Sequence, residues 1–440
     1  MKVAIIGTGI SGLAAAHTLT GKADLTLFEA GSYFGGHTHT VDVTLPTPQG
    51  NVTHGVDTGF LVLNERTYPL LIGLLAELDV STAKSDMSFS VQAHSARAGQ
   101  ALEWSGSNLN TLFTQRRNLL NPRFLKMLRD LLRFNKLTTR IALGGTEGEM
   151  TQSLGDFLRE QRFSKEFCDW YFMPMMACIW SCPTEQMLRF PVSTMIRFCH
   201  NHGLIQISNR PQWWTVRGGA KHYVEKIMAK ISDKRLNAPV RLIERSGETP
   251  GVGAEVRITT DQGSEYFDKV IIATHPDQAL AMLSKPSALE ARTLGAIKYH
   301  ANRAVLHTDS GVLPQRKAAW AAWNYERAAP TTATSSEVCL HYLINRLQPL
   351  PWQQAVVVSL NPIRPIAKRH ILGEYAYDHP VFDQAALQAQ GQMPELQGQQ
   401  DTYYCGAWMG YGFHEDGLKA GRGAAQRLLG ERRQAQKVCA

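Results

Sequence analysis

The chain has 440 residues, 44% hydrophobic and 19% charged, and its 46 basic and 38 acidic side chains give a formal net charge of +8. This balance excludes a disordered chain, a fibrous protein and a disulfide-stapled miniature. No apolar run approaches the roughly 20 residues that span a bilayer. The seven cysteines are an odd number without a C-x-x-C pair, which favours a reducing, cytoplasmic setting.

The net charge is concentrated in one segment. Residues 116–140 contain eight basic side chains and one acid, Asp130, which leaves a net charge of +7 there. A nucleic-acid binder more often shows several basic patches and a recognisable module. Because the sequence shows neither, no nucleic-acid partner is expected.

The N-terminus predicts a dinucleotide site. The β-branched run Lys2–Ile6 is typical of a buried parallel strand, and the run Leu13–Thr20 predicts a helix. Between them lie Gly7, Gly9 and Gly12 in the G-x-G-x-x-G spacing. In this motif the first glycine permits a tight turn, the second lets the backbone approach a pyrophosphate, and the third lets helix and strand pack closely.

A second predicted strand, Leu25–Phe28, ends at Glu29, where an acid hydrogen-bonds the adenosine ribose in dinucleotide folds. The following Ala30–Ser32 offer no arginine for a 2′-phosphate, which argues against NADP. The residues predicted to bind the dinucleotide in this unit are Gly7, Gly9, Ile10, Ser11, Gly12, Glu29 and Ala30.

A glycine pair, Gly35-Gly36, follows Glu29 and precedes His37 and Thr38. Here the chain resembles the flavin-containing amine oxidase superfamily, which includes monoamine and polyamine oxidases, phytoene-type desaturases and protoporphyrinogen oxidase. In that family the backbone of such a pair passes close to the FAD pyrophosphate. An arginine usually comes next there, so His37 is a departure. The alternative for the pair itself is a simple surface turn.

Three further segments carry the same resemblance: Gly55–Phe60, Arg217–Gly219, and Cys405–Gly417 before a helix at Leu418–Leu429. The last implies a helix N-terminus at the N1–C2=O edge of the flavin, where a helix dipole stabilises the reduced, anionic ring. Asp416 also fits an N-cap. The resemblance implies FAD contacts at Gly35, Gly36, His37, Thr38, Asp57, Thr58, Gly59, Phe60, Val240, Ala273, Thr274, Gly406, Tyr411, Gly412, Phe413, His414, Glu415 and Asp416.

The implied fold class is α/β: a Rossmann-type FAD-binding domain, glutathione-reductase-like and of the amine oxidase type, with an inserted α+β substrate domain. The anchors imply that residues 1–75, 206–289 and 395–440 form the discontinuous FAD-binding domain. Residues 76–205 and 290–394 then form the substrate domain with the helical basic element 116–140. Helices are predicted in the first insertion at Leu109–Leu120, Phe124–Ile141, Leu154–Phe163, Phe167–Met176 and Met187–Cys199, and a loop or exposed helix at Gln384–Gln400.

The closest subgroup, judged from His307–Asp309, Trp320–Tyr325 and Gly412–Gly417, is the bacterial NAD/FAD-binding flavoproteins found alongside cyclopropane-fatty-acid synthases. The resemblance implies an FAD-dependent oxidoreductase that oxidises or desaturates a hydrophobic substrate, such as a methylated fatty acyl chain of membrane lipid, by hydride transfer to flavin N5. The alternatives are an amine oxidase, or a non-redox binding protein or mutase of the same fold. The electron acceptor stays open between oxygen, a quinone and another carrier.

Catalytic residues are harder to identify, because flavin supplies the redox chemistry itself. Trp408, Tyr411 and His414 lie beside the flavin anchors, with plain core packing as the alternative. Lys298 has a possible counterpart in a family lysine that holds water near N5, and a solvated surface lysine is the alternative.

Neither a covalent flavin link nor a metal site is expected. Cys405 lies inside the flavin-edge segment, where a packed side chain is expected, so the FAD is expected to be non-covalent. His200 and His202 have no acidic partner at ligand spacing, so no metal is assigned.

The segment Pro122–Arg140 predicts an amphipathic helix that begins at Asn121-Pro122. Such a helix either lies on the anionic inner face of a membrane or covers its own domain with its charges solvated. Its basic stripe is Lys126, Arg129, Arg133, Lys136 and Arg140, and its predicted opposing apolar face is Phe124, Leu125, Leu128, Leu131 and Leu132.

Overall fold

The computed structural model describes residues 1–94, 101–146, 150, 152–181, 183–206, 210–245, 255–327 and 338–438. The strands are β1 (Lys2–Ile6), β2 (Asp24–Phe28), β3 (Thr40–Thr47), β4 (Gly50–Asp57), β5 (Leu63–Asn64), β6 (Thr82–Ser85), β7 (Phe89–Ala93), β8 (Leu102–Ser105), β9 (Trp213–Val216), β10 (Asp233–Arg235), β11 (Val240–Glu244), β12 (Val256–Thr260), β13 (Gly263–Phe267), β14 (Lys269–Ile272), β15 (Lys298–His307), β16 (Trp323–Arg327), β17 (Cys339–Leu343), β18 (Val357–Leu360), β19 (Ile371–Val381) and β20 (Thr402–Tyr404). The helices are α1 (Ile10–Leu19), α2 (Pro69–Glu77), α3 (Leu109–Leu112), α4 (Pro122–Gly144), α5 (Leu154–Glu160), α6 (Lys165–Phe167), α7 (Met173–Trp180), α8 (Thr184–Met187), α9 (Val192–Asn201), α10 (Lys221–Met228), α11 (Pro276–Met282), α12 (Ala288–Ala296), α13 (Ile344–Leu347), α14 (Gln384–Leu396) and α15 (His414–Val438).

A five-stranded parallel sheet in the order β10-β2-β1-β14-β20 carries the N-terminal motif. Val3, Ala4 and Ile5 in its central strand are fully buried, as the β-branched run predicts. Helix α1 packs against the sheet and against α15. The two helices approach closely because residue 421 is a glycine: a Cβ there would lie 2.0 Å from the Ser11 carbonyl oxygen. This sheet confirms the predicted Rossmann-type fold.

The second large sheet has seven strands in the order β19-β15-β18-β17-β16-β7-β8. Its neighbouring strands are antiparallel except for the parallel pair β16 and β7. All its strands lie between residues 89 and 381, in the two insertions of the sequence, whereas the parallel sheet takes its strands from the three segments that carry the flavin anchors. Smaller sheets pair β3 with β4, β5 and β6 with β9, and β12 with β11 and β13.

The predicted helix Leu109–Leu120 is wrong as a single element. Helix α3 ends at Leu112, and a separate 3₁₀ turn covers Arg116–Leu120. Between them Gln115 adopts an extended backbone, and its buried side-chain amide donates to the Ala101 carbonyl oxygen at 2.7 Å. This tertiary hydrogen bond holds the chain out of the helical conformation that local propensity favours.

Two other helices differ from the sequence prediction. Helix α9 begins only at Val192, because Pro191 occupies the position before its first turn and favours an extended conformation. Helix α14 is not a loop or an exposed helix, since it buries Ala386, Ala389 and Met393 on one face. Among the described residues, no helix is long and apolar enough to span a bilayer.

Helix α4 begins where the sequence predicts, after Asn121, but it continues to Gly144, beyond the predicted ends at Arg140 and Ile141. The Asn121 side chain accepts from the Arg123 amide at 3.1 Å, Pro122 occupies the first turn, and Gly145 ends the helix with φ +67°. The predicted apolar face is wrong in part. Leu125 and Leu132 are exposed, and the buried face is formed by Phe124, Met127, Asp130, Phe134, Asn135 and Thr138.

Candidate active site

A continuous cavity of about 780 Å³ opens beyond the carboxyl ends of β1, β2 and β14, the usual ligand position in a parallel α/β sheet. One end is lined by the N-terminal glycine loop, by Glu29 and by Ala238–Arg241. The other end is lined by residues from α7, α9, β9, β16 and β17. The C-terminal segment Gly406–His414 lies along the wall between the two ends.

The glycine loop forms a cradle for an anion. A Cβ at Gly12 would lie 2.0 Å from the Gly7 carbonyl oxygen, so the third glycine is needed for the close packing of α1 on β1. A Cβ at Gly9 would meet no protein atom within 4 Å, because this position faces the cavity. The first turn of α1 has no acidic side chain and no side-chain cap, so its amide groups are available to a phosphate.

Glu29 and Gly36 complete this end of the cavity. The Glu29 carboxylate accepts from the Thr8 and Gly31 amides at 3.0 and 2.9 Å, and it therefore holds the glycine loop while it faces the cavity. Gly36 has φ +57°, and a Cβ there would lie 3.0 Å from the Gly9 Cα. The glycine pair thus packs on the phosphate cradle and is not a simple surface turn.

His37, at the position where the resemblance implies an arginine, lines the cavity, and its buried Nε2 atom has no hydrogen-bond partner among the described residues. Burial, and to a smaller extent the neighbouring His379 and His275, lower the pKa of His37 to about 3, so the ring is neutral at pH 7. An unpaired buried nitrogen costs free energy that a bound polar ligand recovers. This atom therefore fits a hydrogen bond to the cofactor.

Three residues that the sequence analysis missed extend this group. Burial also lowers the pKa of His379, to about 4, and that of His275, whose ring stacks on Tyr299 at 3.9 Å. All three residues line the cavity. These residues come from distant parts of the chain, namely β19, the start of α11 and β15, so no local sequence motif predicts them.

The C-terminal segment places Trp408, Tyr411 and Phe413 on the cavity wall. The Trp408 indole donates to the Thr274 carbonyl oxygen at 3.2 Å, which ties this wall to the end of β14. His414 also reaches the cavity, but Nε2 lies 2.6 Å from the Tyr223 hydroxyl and the ring stacks on Phe60 at 3.9 Å. Burial lowers its pKa to about 3, so His414 is a neutral, fixed side chain.

Most of the predicted FAD contacts line the cavity. They are Gly7, Gly9, Ile10, Ser11, Glu29, Ala30, Gly36, His37, Gly59, Phe60, Val240, Ala273, Thr274, Gly406, Tyr411, Gly412, Phe413 and His414. Gly12, Gly35, Thr38, Asp57, Thr58, Glu415 and Asp416 do not line it. Cofactor contact stays a prediction at all of these positions, those that line the cavity included.

Three of those seven are acids with clear structural partners. Asp57, whose pKa burial raises to about 7, accepts from the Ala220 amide and the Gln348 side chain. Glu415 accepts from the Leu70 and Leu71 amides at the N-terminus of α2. Asp416 is not the N-cap that the sequence suggests: it lies in the first turn of α15 and accepts from the preceding Tyr411 and Phe413 amides, both at 3.1 Å, as an acid at the third helical position does.

Lys298 is not at the cavity. Its side chain is exposed, and Nζ donates to the Gly295 carbonyl oxygen at 2.7 Å. The neighbouring Tyr299 lines the cavity instead, because successive residues of a strand point to opposite faces. The structure therefore supports the surface alternative for Lys298.

The far end of the cavity is apolar. Its lining includes Met87, Ile179, Phe198, Leu204 and Trp213, with Trp180 and Trp323 beside them. In α7, Met173 and Met176 are core residues, and only the end of the helix reaches the cavity.

No metal is expected from the sequence, yet the structure brings three ligand-type side chains together on the other face of the seven-stranded sheet. Glu326, Cys339 and His341 are buried, and their ligand atoms lie within 4.8 Å of one another. His341 Nε2 is 3.0 Å from Glu326 Oε2 and Nδ1 is 2.6 Å from Ser359 Oγ. These contacts make a hydrogen-bonded ion pair that is complete without an ion.

The fold and the cavity are those of a dinucleotide-binding protein with an apolar space at the far end of the cavity. The profile of the flavin containing amine oxidoreductase family matches residues 10–344. The chain belongs to this family and uses FAD, and it spans about three fifths of the length of the curated relatives it matches.

Individual relatives agree with this assignment. AofH, a protein of Mycobacterium tuberculosis assigned as a flavin-containing monoamine oxidase, is 26% identical over 300 residues, which cover 64% of this chain and 59% of AofH. Cyclohexylamine oxidase from Brevibacterium oxydans IH-35A has the same fold, with a TM-score of 0.65, 16% identity, and coverage of 98% of this chain and 99% of its own. A CLA-producing fatty acid isomerase from P. acnes matches with a TM-score of 0.63 and 14% identity over 97% of this chain and 98% of its own.

We expect His37→Ala to weaken FAD binding by about tenfold or more, since the cofactor loses a partner at a buried polar position. FAD titration of the apoprotein, followed by flavin fluorescence, measures the effect. His222→Ala is the matched control, because His222 is exposed and contacts Glu225 outside the cavity. Equal affinities in the two variants would contradict a cofactor contact at His37.

Proposed function

We propose that the protein oxidises or desaturates a hydrophobic, acyl-type substrate at its flavin. The observation that carries this proposal is the composition of the far end of the cavity, which is lined by aliphatic and aromatic side chains. Burying an acyl chain against such walls is favourable by about 25 cal/mol per Å² of apolar surface. Passing electrons on to oxygen, a quinone or another carrier completes the proposed reaction.

The charges around the cavity support this substrate class over an amine. Among the described residues of the lining, the carboxylates are Glu29 and Asp378. Glu29 holds the glycine loop, and Asp378 lies in β19 beside His379, so neither belongs to the apolar end. An ammonium group there has no carboxylate partner, and an unpaired buried charge is costly.

The chain's own residues would position the substrate and exclude water. Flavin, when bound, would supply the oxidising chemistry as a hydride acceptor. The aromatic walls at Trp180, Phe198 and Trp213 leave an apolar space in which a C–H bond is held in place. His202 in this region is hydrogen-bonded to the Phe198 carbonyl oxygen, and burial lowers its pKa to about 4, so it adds no charge there.

Amine oxidation is the second candidate, and the similarity to AofH favours it. The fatty acid isomerase of the same fold supports the acyl candidate in the same indirect way. The acyl and amine candidates can therefore be distinguished by which kind of substrate reduces the flavin.

We expect the holoprotein to lose its flavin absorbance under anaerobic conditions when it is mixed with acyl lipids, including methylated ones, dispersed in detergent. Putrescine, cyclohexylamine and NADH are the comparison donors. Faster bleaching by an amine would establish the second candidate and contradict the proposal. Bleaching by no donor in this set would favour the non-redox alternative.

A cavity-filling variant links the result to this site. Ile179→Trp adds bulk where the side chain is half-buried and faces the cavity, and we expect reduction by the acyl donor to slow by about tenfold or more. Ile363→Trp at an exposed position is the control. Unchanged FAD content in both variants separates a blocked substrate space from a damaged cofactor site.

A further inference from the structure

We propose that the exposed face of α4, together with the turn before it, docks the protein on an anionic membrane surface. This docking face is defined by Leu119, Leu120, Leu125, Leu132 and Leu143 with the basic residues among them. The proposal goes beyond the proposed function and does not depend on it.

Exposed leucines are concentrated on this face. Ten large hydrophobic side chains are exposed among the described residues, and six of them lie between residues 109 and 143. Leu120 is 88% exposed and Leu143 is 74% exposed. Scattered single leucines are normal on a protein surface, whereas such a concentration marks an interaction site.

Basic side chains share the face with the leucines. With about 100° per residue, Leu125, Leu132 and Leu143 fall within about 20° of one line along α4, and Lys136 and Arg140 lie within about 60° of it. The acid of the segment, Asp130, points inward, where it is 2% exposed and accepts from the Ser164 amide. The outer face therefore presents cations and leucines without a carboxylate of its own helix.

This combination fits lipid better than nucleic acid or an acidic protein. Glu166 pairs with Arg123 and Lys126 at one edge of the face, but Lys136 and Arg140 have no ion-pair partner among the described residues. Leucines in the outermost row would meet phosphates if the partner were nucleic acid. On a membrane the leucines enter the acyl boundary while the cations contact anionic headgroups.

The docking face lies next to the substrate end of the cavity. Leu132 and Leu143 line a groove along α4 together with Ile205. The preceding residue, Leu204, lines the main cavity. The groove and the main cavity are therefore lined by adjacent residues of the chain, so a membrane on this face would lie close to the cavity wall.

The test is co-sedimentation of the full-length holoprotein with vesicles of phosphatidylglycerol and phosphatidylcholine, compared with pure phosphatidylcholine. We expect binding to the anionic vesicles, reversal by salt, and at least about a tenfold loss of binding in both Lys136→Glu/Arg140→Glu and Leu125→Ser/Leu132→Ser/Leu143→Ser. The matched controls are Lys230→Glu/Lys368→Glu and Ile363→Ser/Leu372→Ser, which change the same residue types at exposed positions elsewhere.

Loss of binding in the docking-face variants but not in the controls supports the proposal. Absent binding to anionic vesicles, or equal loss in test and control variants, overturns it. Self-association of the unbound protein that only the docking-face variants abolish would assign the face to a second copy and also overturn it. Flavin absorbance reports correct folding of each variant, and none of these outcomes depends on which donor reduces the flavin.

Discussion

Gly9→Ala is expected to give a folded protein that has lost most of its affinity for FAD, whereas Gly12→Ala is expected to destabilise the fold itself. The Cβ at Gly9 would enter the open cavity and crowd a pyrophosphate at the N-terminus of α1. The Cβ at Gly12 would lie 2.0 Å from a backbone oxygen of Gly7, which cannot move without displacing β1. Such overpacking costs on the order of 3 kcal/mol or more.

The measurements are FAD titration of each apoprotein and its thermal unfolding. We expect a loss of FAD affinity of about a hundredfold for Gly9→Ala, because a small displacement of a tightly held group is sufficient. Gly73→Ala is the control: this glycine is exposed within α2, a Cβ there meets nothing within 4 Å, and the change should raise stability by about 0.5–1 kcal/mol. Wild-type FAD affinity in Gly9→Ala would show that the pyrophosphate is not at this helix.

This contrast shows why the phosphate end of the site was predictable. Gly7, Gly9 and Gly12 lie in one short segment between β1 and α1, so their spacing alone predicts the geometry of the phosphate-binding loop. Glu29 follows from the length of a βαβ unit. The sequence pattern also identified the C-terminal wall at Trp408, although it did not separate the residues that face the cavity from those that shape the loop.

The residues that sequence reasoning missed depend on long-range placement. His275 and His379 meet His37 only after β14 and β19 are positioned by different sheets. Family register makes Lys298 a candidate, with a solvated lysine as the alternative, and the two-residue alternation of β15 places Tyr299 at the cavity instead. On α4, periodicity identified two faces, but which leucines are covered depends on the helices packed against it, so Leu125 and Leu132 were assigned to the wrong face.

The second large effect is expected at Glu326. Its Oε1 atom accepts from His94, Gln92 and Arg364 at 2.8–3.0 Å, and its Oε2 atom meets His341 at 3.0 Å. Glu326→Gln removes the negative charge and leaves buried His341 without its counter-ion. Breaking a buried pair from one side costs on the order of 3 kcal/mol of unfolding free energy.

The contribution of this pair depends on pH in a defined direction. Burial opposes the charge on Glu326, but the hydrogen bond and charge of His341 outweigh it and lower the pKa of Glu326 from 4.5 to about 2. Burial likewise opposes the charge on His341, but Cys339 and Glu326 raise the pKa of His341 from 6.5 to about 9. The acid therefore stabilises the fold above pH 4.5 and loses this effect towards pH 2, and the histidine stabilises it below pH 6.5 and loses this effect towards pH 9.

We therefore expect the difference in unfolding free energy between wild type and Glu326→Gln to be largest between pH 4.5 and 6.5 and to shrink on either side. Denaturant unfolding followed by tryptophan fluorescence across this range measures it. Glu374→Gln is the control, because its pair with Arg303 is exposed and should contribute less than about 1 kcal/mol. Equal losses of stability in the two variants would show that Glu326 and His341 are weak partners. Stoichiometric zinc, found by elemental analysis and abolished by Cys339→Ser, would show that they are metal ligands. Either result would make the ion-pair interpretation wrong.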